Sequence, residues 1–202
     1  MEDLKEFVRK KGIGKLLEDV CLREYTTYRV GGICRYMVFP KTTRKLIMLI
    51  RYLREYHIPM MVLGFGSNVL FSDDPYEGVI IKLDAMDNVD FIGNKVKVGS
   101  GASLMKVASM AVRRGLSGLE FATGIPGSIG GAVYMNAGAY KSDMGYIVKT
   151  VKVLTPDLKV ITMVNREMDF HYRSSFLQKH KDYICLEAIL KLKPGNREEM
   201  EE

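Results

Sequence analysis

Histidine and cysteine are scarce, three of each in 202 residues. Cys21, Cys34 and Cys185 lie far apart, with no Cys-x-x-Cys pair and no Cys/His spacing of a zinc site. No metal is therefore expected, and the thiols read as free, buried cysteines of a reducing compartment. His57 and His180 have no chemical constellation around them, and His171 is either a base or, as a lone histidine more often is, a hydrogen-bonded or surface residue. Proline is also sparse, at six residues, and the glycines cluster locally, so disorder is expected only at the ends. No apolar run approaches a membrane span, and the opening MEDLKEFVRKK lacks the apolar core of a signal peptide. The expectation is a soluble cytoplasmic protein with no membrane partner. The net charge of +6 reads as a solvated basic surface. Its lysines and arginines are scattered and not interleaved with aromatics, so no nucleic-acid partner is expected.

What is present is a change of pattern along the chain. Residues 3–20 carry Leu4, Phe7, Val8, Leu16 and Leu17 near helical spacing, which predicts an amphipathic helix interrupted by Gly12 and Gly14. RYMVFP at 35–40 reads as a strand stopped by Pro40, and Thr42 as the N-cap of a helix whose apolar stripe runs from Leu46 to about Tyr56. MMVL at 60–63 and VIIKL at 79–83 read as further strands. Strand, helix, strand over this length is a βαβ unit with parallel strands. Beyond it, KVKVG at 95–99 predicts a strand, and Ser103 caps a helix that Gly115 stops. IVKTVKVL at 147–154, KVITM at 159–163 and YICLEAILKL at 183–192 predict strands, the first two joined by a TPD turn into an antiparallel hairpin. A small parallel α/β part is thus followed by an α+β part, with the boundary near Asp84–Asn88.

Three segments carry chemistry. LGFGSNVL at 63–70 follows a predicted parallel strand, where open α/β sheets bind ligands. It lacks the GK[ST] of a P-loop and the third glycine of GxGxxG, since residue 69 is Val. Either a strand-ending turn or an anion-binding nest of backbone N–H groups satisfies it. GLEFATGIPGSIGGAVYMNAGAY at 118–140 sets glycines among apolar residues, unlike a flexible linker. Such glycines serve close backbone packing or a flat ligand lying on the main chain. Asn136 within it needs a polar partner or caps a tight turn. In FHYRSSF at 170–176, Arg173 is either stacked on its aromatic neighbours or an anion receptor.

YTTYRVGG, VLGFGSNVLFSDDPYEGVIIKL, GLEFATGIPGSIGGAVYMNAGAY and YRSS, in this order between Tyr25 and Pro194, resemble the UDP-N-acetylenolpyruvoylglucosamine reductase family, the flavoenzymes of peptidoglycan precursor synthesis called MurB. The resemblance implies an α+β fold of the FAD-binding type-2 kind, shared with vanillyl-alcohol oxidase-like (PCMH-like) enzymes. A small parallel βαβ subdomain, 1–84, would precede a larger, mainly antiparallel α+β subdomain, 85–194. It implies bound FAD, NADPH as electron donor, and reduction of UDP-N-acetylglucosamine enolpyruvate to UDP-N-acetylmuramate.

By the same resemblance, Gly64, Phe65, Gly66, Ser67 and Asn68 would hold the FAD pyrophosphate, with Val62, Val69 and Leu70 in the same cofactor site. Ala122, Thr123, Gly124, Ile125, Pro126, Gly127, Ser128, Gly130, Gly131 and Ala132 would run along the flavin and its ribityl chain. Asn136, Ala137 and Gly138 would lie close by. Tyr172 and Arg173 would face the substrate, Arg173 as the catalytic residue and Tyr172 and Ser174 in support. Family members continue for about another hundred residues, the size of a further domain. That part supplies a proton-donating serine and a late glutamate, and neither segment occurs in this sequence. The expectation is therefore the FAD-binding portion of the enzyme, with 195–202 a tail or the start of a third domain. The alternative is an FAD-binding module that does not complete the reaction alone.

Overall fold

A computed structural model of the chain describes residues 3–196. The chain forms two compact units, Met1–Met86 and Asp87–Glu202. The expected tail at 195–202 lies, after its first two residues, outside the described residues.

In the first unit, α1 (Leu4–Lys10) is followed by β1 (Gly14–Cys21), β2 (Ile33–Pro40), α2 (Thr43–Glu55), β3 (Met60–Leu63) and β4 (Tyr76–Lys82). The strands form one sheet in the order β1-β2-β4-β3. β1 pairs antiparallel with β2, whereas β2 and β3 both run parallel to β4. The expected βαβ unit is present, with β4 inserted between its two strands. Val79, Ile80, Ile81 and Lys82 are buried without a break, as befits a central strand covered on both faces. α2 begins where the Thr42 side chain accepts the Lys45 N–H at 3.3 Å, and buries Leu46, Leu49, Ile50 and Leu53. Met37, Leu63 and Ile80 pack with Val20, Leu22 and Cys34.

The expected helix over 3–20 is corrected. It ends at Lys10, Gly12 turns the chain at φ +57, and Leu16 and Leu17 belong to a strand opposite Val38 and Met37. The glycine breaks the helix as a left-handed stop. The conformation of the next segment is decided by a strand partner some twenty residues downstream.

The second unit holds β5 (Val89–Ile92), β6 (Lys95–Gly99), α3 (Leu104–Val112), β7 (Leu116–Ser117), α4 (Ile129–Met135), β8 (Gly138–Ala139), β9 (Ser142–Asp143), α5 (Met144–Ile147), β10 (Val148–Leu154), β11 (Val160–Val164), α6 (Phe176–Lys179), β12 (Ile184–Lys191) and β13 (Lys193–Pro194). Its main sheet is antiparallel, in the order β11-β10-β12-β6-β5. β5 lies outside the expected strands, although Gly93 and Asn94 between FI and KV are a two-residue hairpin signal; Gly93 takes φ +58 there. α4 packs against β12 and β6, and the core runs from Val96 and Val98 through Leu104, Val107, Leu119 and Ile129 to Ala188 and Leu190. Burial pushes the Cys185 thiol up to about 12 and raises that of Cys34, so both are inert packing residues; Cys21 is half-buried. Among the described residues, no helix is long and apolar enough to cross a membrane.

Candidate cofactor-binding segments

In the first unit, the chain leaves β3 at Leu63 and turns through Gly64–Leu70 at the C-terminal end of a parallel strand. The N–H groups of Phe65, Gly66, Ser67 and Asn68 find no main-chain acceptor among the described residues. Ser67 and Asn68 make no hydrogen bond at all to the described residues. Four successive donors left open at a strand end are the groups from which an anion-binding turn is made. Asn68, Val62 and Leu70 are exposed, and Val69 packs on the core beneath. Gly66 is buried at φ +70, and its carbonyl accepts the Thr27 N–H at 3.1 Å. YTTYRVGG and GFGSN are thus one local structure, with the backbone of Tyr25–Thr27 lying against the loop. Gly32 extends it, its N–H bonded to the Ser72 carbonyl at 2.9 Å.

Lys82 was missed by sequence reasoning. Its side chain is 3% exposed. The ammonium donates to the Gly64 carbonyl and lies 3.3 Å from Asp84 Oδ1. Burial pushes it below the usual lysine range, and Asp84 pulls it back up. The signal was a single charge in the otherwise apolar run VIIKL.

In the second unit, the glycine-rich segment resolves position by position. Gly130 serves packing, since a Cβ there would lie 2.9 Å from Ser100 Cβ. Gly127 contributes its carbonyl to the Leu104 N–H at 2.9 Å. Ser128 caps α4 by accepting the Gly131 N–H at 3.2 Å, and Ile129 and Ala132 point into the core. Gly124 differs: its φ is unremarkable, and a Cβ there would meet nothing within 4 Å. Ala122 is buried, Thr123 is tied to the Glu120 carbonyl at 2.9 Å, and Pro126 is exposed. Two buried polar atoms of this region, Ser100 Oγ and Glu120 Oε1, lack a hydrogen-bond partner among the described residues, which is costly.

Asn136 ends α4 at φ +42 and is 3% exposed. It both caps and finds partners: Nδ2 donates to the His171 carbonyl at 2.8 Å and Oδ1 accepts the Gly145 N–H at 2.9 Å. Ala137 accepts the Met144 N–H, and Gly138 lies tight against Ser142 and Asp143 in the β8–β9 pair. Asn136 thereby holds one end of a two-residue turn in which His171 and Ser174 exchange main-chain bonds of 3.0 and 3.1 Å. Ser175 holds the other end, its hydroxyl donating to the Tyr134 carbonyl at 2.8 Å. Tyr172 and Arg173 occupy the tip. Tyr172 is 89% exposed, and Arg173 takes φ +54, a position that such turns usually give to Gly or Asn. Its guanidinium lies 5.8 Å from the Tyr172 ring centroid and has no carboxylate partner among the described residues. Tyr172 also lines a polar cleft of about 400 Å³ with Asn165, Arg166, Asp143 and Asp169. His171 is bonded to Asp169 at 2.9 Å, so this candidate base is engaged in an exposed ion cluster with Lys179.

Removing the Asn136 side chain would leave the Gly145 N–H without its acceptor and the His171 carbonyl with the Ser174 N–H as its remaining donor. Asn136→Ala is expected to cost about 2 kcal/mol, read as a lower urea midpoint.

No group of three or more His, Cys, Asp or Glu side chains among the described residues is placed to hold a metal ion. Within the first unit, the open run of N–H groups suits a phosphate such as the pyrophosphate of FAD; within the second, the main chain at Gly124 is unobstructed, as a flat ring lying on it requires.

The model of the FAD binding domain family matches residues 34–163, and the chain belongs to that class of domains. Alkyldihydroxyacetonephosphate synthase, 16% identical, shares the fold at a TM-score of 0.64 over 95% of this chain and 41% of that one. The chain is 42% identical over 98% of its length to the UDP-N-acetylenolpyruvoylglucosamine reductase of Bacillus velezensis, covering 66% of it. It is 43% identical over 99% of its length to that of Anoxybacillus flavithermus, covering 67%. The crystal structure of the Thermus caldophilus reductase (MurB) superposes with a TM-score of 0.77 at 33% identity, over 92% of this chain and 64% of that one. The chain belongs to the UDP-N-acetylenolpyruvoylglucosamine reductase family and spans about two thirds of the length of these relatives.

Proposed function

We propose that the chain binds FAD and serves the NADPH-driven reduction of UDP-N-acetylglucosamine enolpyruvate to UDP-N-acetylmuramate, as a cytoplasmic flavoprotein oxidoreductase of peptidoglycan precursor synthesis. The observation that carries it is the run of N–H groups from Phe65 to Asn68, without a main-chain acceptor among the described residues, at the end of a parallel strand. In this reading Gly64–Asn68 take the pyrophosphate, with Val62, Val69 and Leu70 around them. Ala122–Ala132 take the ring system and ribityl chain. FAD supplies the hydride chemistry when bound; the chain supplies position and field. Asn136 and Ser175 hold the turn, and the turn presents Tyr172 and Arg173 to an anionic substrate. The guanidinium is suited to a carboxylate, which it can bond through two parallel N–H groups.

Titration of the purified protein with FAD tests the reading through quenching of flavin fluorescence and the visible flavin bands. Saturable uptake is expected, and a protein that stays colourless after incubation with FAD overturns it. Gly124→Val sharpens the test. The added Cβ enters open space, so folding is expected to be little changed while FAD affinity drops at least about tenfold. NADPH oxidation that depends on the enolpyruvyl substrate then tests the reaction itself.

A further inference from the structure

Among the described residues, the segment Gly64–Asn68 receives one side-chain hydrogen bond, from Lys82 at the end of β4. The rings of Phe65 and Tyr25 lie 5.5 and 5.9 Å from the ammonium, close enough for cation–π attraction, and Asp84 is its carboxylate neighbour. Burying an ammonium is costly, and an apolar side chain of the same length would fill the space without that cost. What the amine does and methionine cannot is hold the Gly64 carbonyl.

That bond has a directional consequence. The Gly64–Phe65 peptide is planar and trans, so its C=O and N–H point in opposite directions. With the carbonyl drawn to a buried ammonium, the Phe65 N–H is turned away from the interior. It is the first of the four N–H groups that lack a main-chain acceptor among the described residues. A nest binds an anion only when successive N–H groups face the same side, and Lys82 fixes the side of the first of them.

We propose that Lys82 is a positioning residue of the phosphate-binding loop, its buried ammonium holding the Gly64 carbonyl inward and so keeping the Phe65 N–H, the first of the four open donors, turned toward a pyrophosphate. The role rests on the reading of this loop as part of an FAD site. Asp84 balances the charge, so Lys82 acts through the backbone and needs no contact with the phosphate. Fixing the loop before the ligand arrives lowers the ordering cost of binding.

The test compares wild type, Lys82→Met and Lys82→Arg. Three quantities are read: FAD affinity by fluorescence, melting of the apoprotein, and the phosphorus NMR signals of bound FAD. Lys82→Met removes the buried charge and leaves Asp84 partly solvated, so the apoprotein is expected to melt close to wild type. Its dissociation constant for FAD is expected to rise at least about tenfold. The pyrophosphate resonances should move while the visible flavin spectrum at saturation stays the same. Lys82→Arg keeps a donor and should recover most of the affinity. Wild-type affinity and unmoved phosphorus signals in Lys82→Met would overturn the role. So would a loss of affinity matched by an equal loss of apoprotein stability with unmoved phosphorus signals, which is what a merely structural lysine gives. If wild type itself takes up no FAD, the functional reading falls and the role of Lys82 with it.

Discussion

Gly66→Ala is expected to unfold the first unit or leave it near its unfolding threshold at room temperature. Two demands meet at this position. The backbone sits at φ +70, where any side chain is disfavoured. An added Cβ would also lie 2.1 Å from the Tyr25 carbonyl oxygen and 2.9 Å from Thr26 Cα. These are main-chain atoms, so no rotamer change relieves the clash. Either the loop or the 25–27 segment must move, and the Thr27–Gly66 hydrogen bond goes with them. The expected loss is more than about 4 kcal/mol, a large part of the stability of any small domain. Urea unfolding and limited proteolysis measure it. A variant that melts within a few degrees of wild type would refute the packing role of Gly66. The contrast with Gly124 is informative: one glycine is required by the fold, whereas the other has no structural demand on it.

Arg173→Ala is expected to leave FAD binding intact and to slow substrate-dependent NADPH oxidation by about a hundred- to a thousandfold. Hydride addition to an enol ether that bears a carboxylate builds negative charge beside that carboxylate. A fixed guanidinium stabilises the charge more in the transition state than in the ground state. Arg173 suits the task because its turn is pinned at both ends, by Asn136 and by Ser175, and because no carboxylate of the described residues competes for it. Arg173→Lys should recover only part of the rate, since an ammonium lacks the planar fork. If the Arg173→Ala variant loses FAD instead, the residue belongs to the cofactor site and not to the substrate.

Local pattern was a good guide where an element depends on its own residues. α2 was legible from the Thr42 cap and the Leu46–Leu53 stripe, and the antiparallel strands from alternation and the TPD turn. It failed where the partner decides. Leu16 and Leu17 fit a helix as well as a strand, and only the pairing with β2 chooses between them. The four motifs in their order carried the family, because each places glycines or charges where composition alone has no use for them.

By itself, then, the sequence determined that glycine-rich loops follow a parallel strand and punctuate an antiparallel α+β part, and that their order is that of a flavin-binding reductase family. Only the tertiary structure decided which glycines answer to packing and which lie open, because that depends on the atoms facing them from distant segments. It decided also that Asn136 and Ser175 anchor the Tyr172–Arg173 turn, and that Lys82 bonds the loop eighteen residues before it. A lysine in an apolar run states only that a charge is buried. What it is buried for is set by the carbonyl that folding brings to meet it.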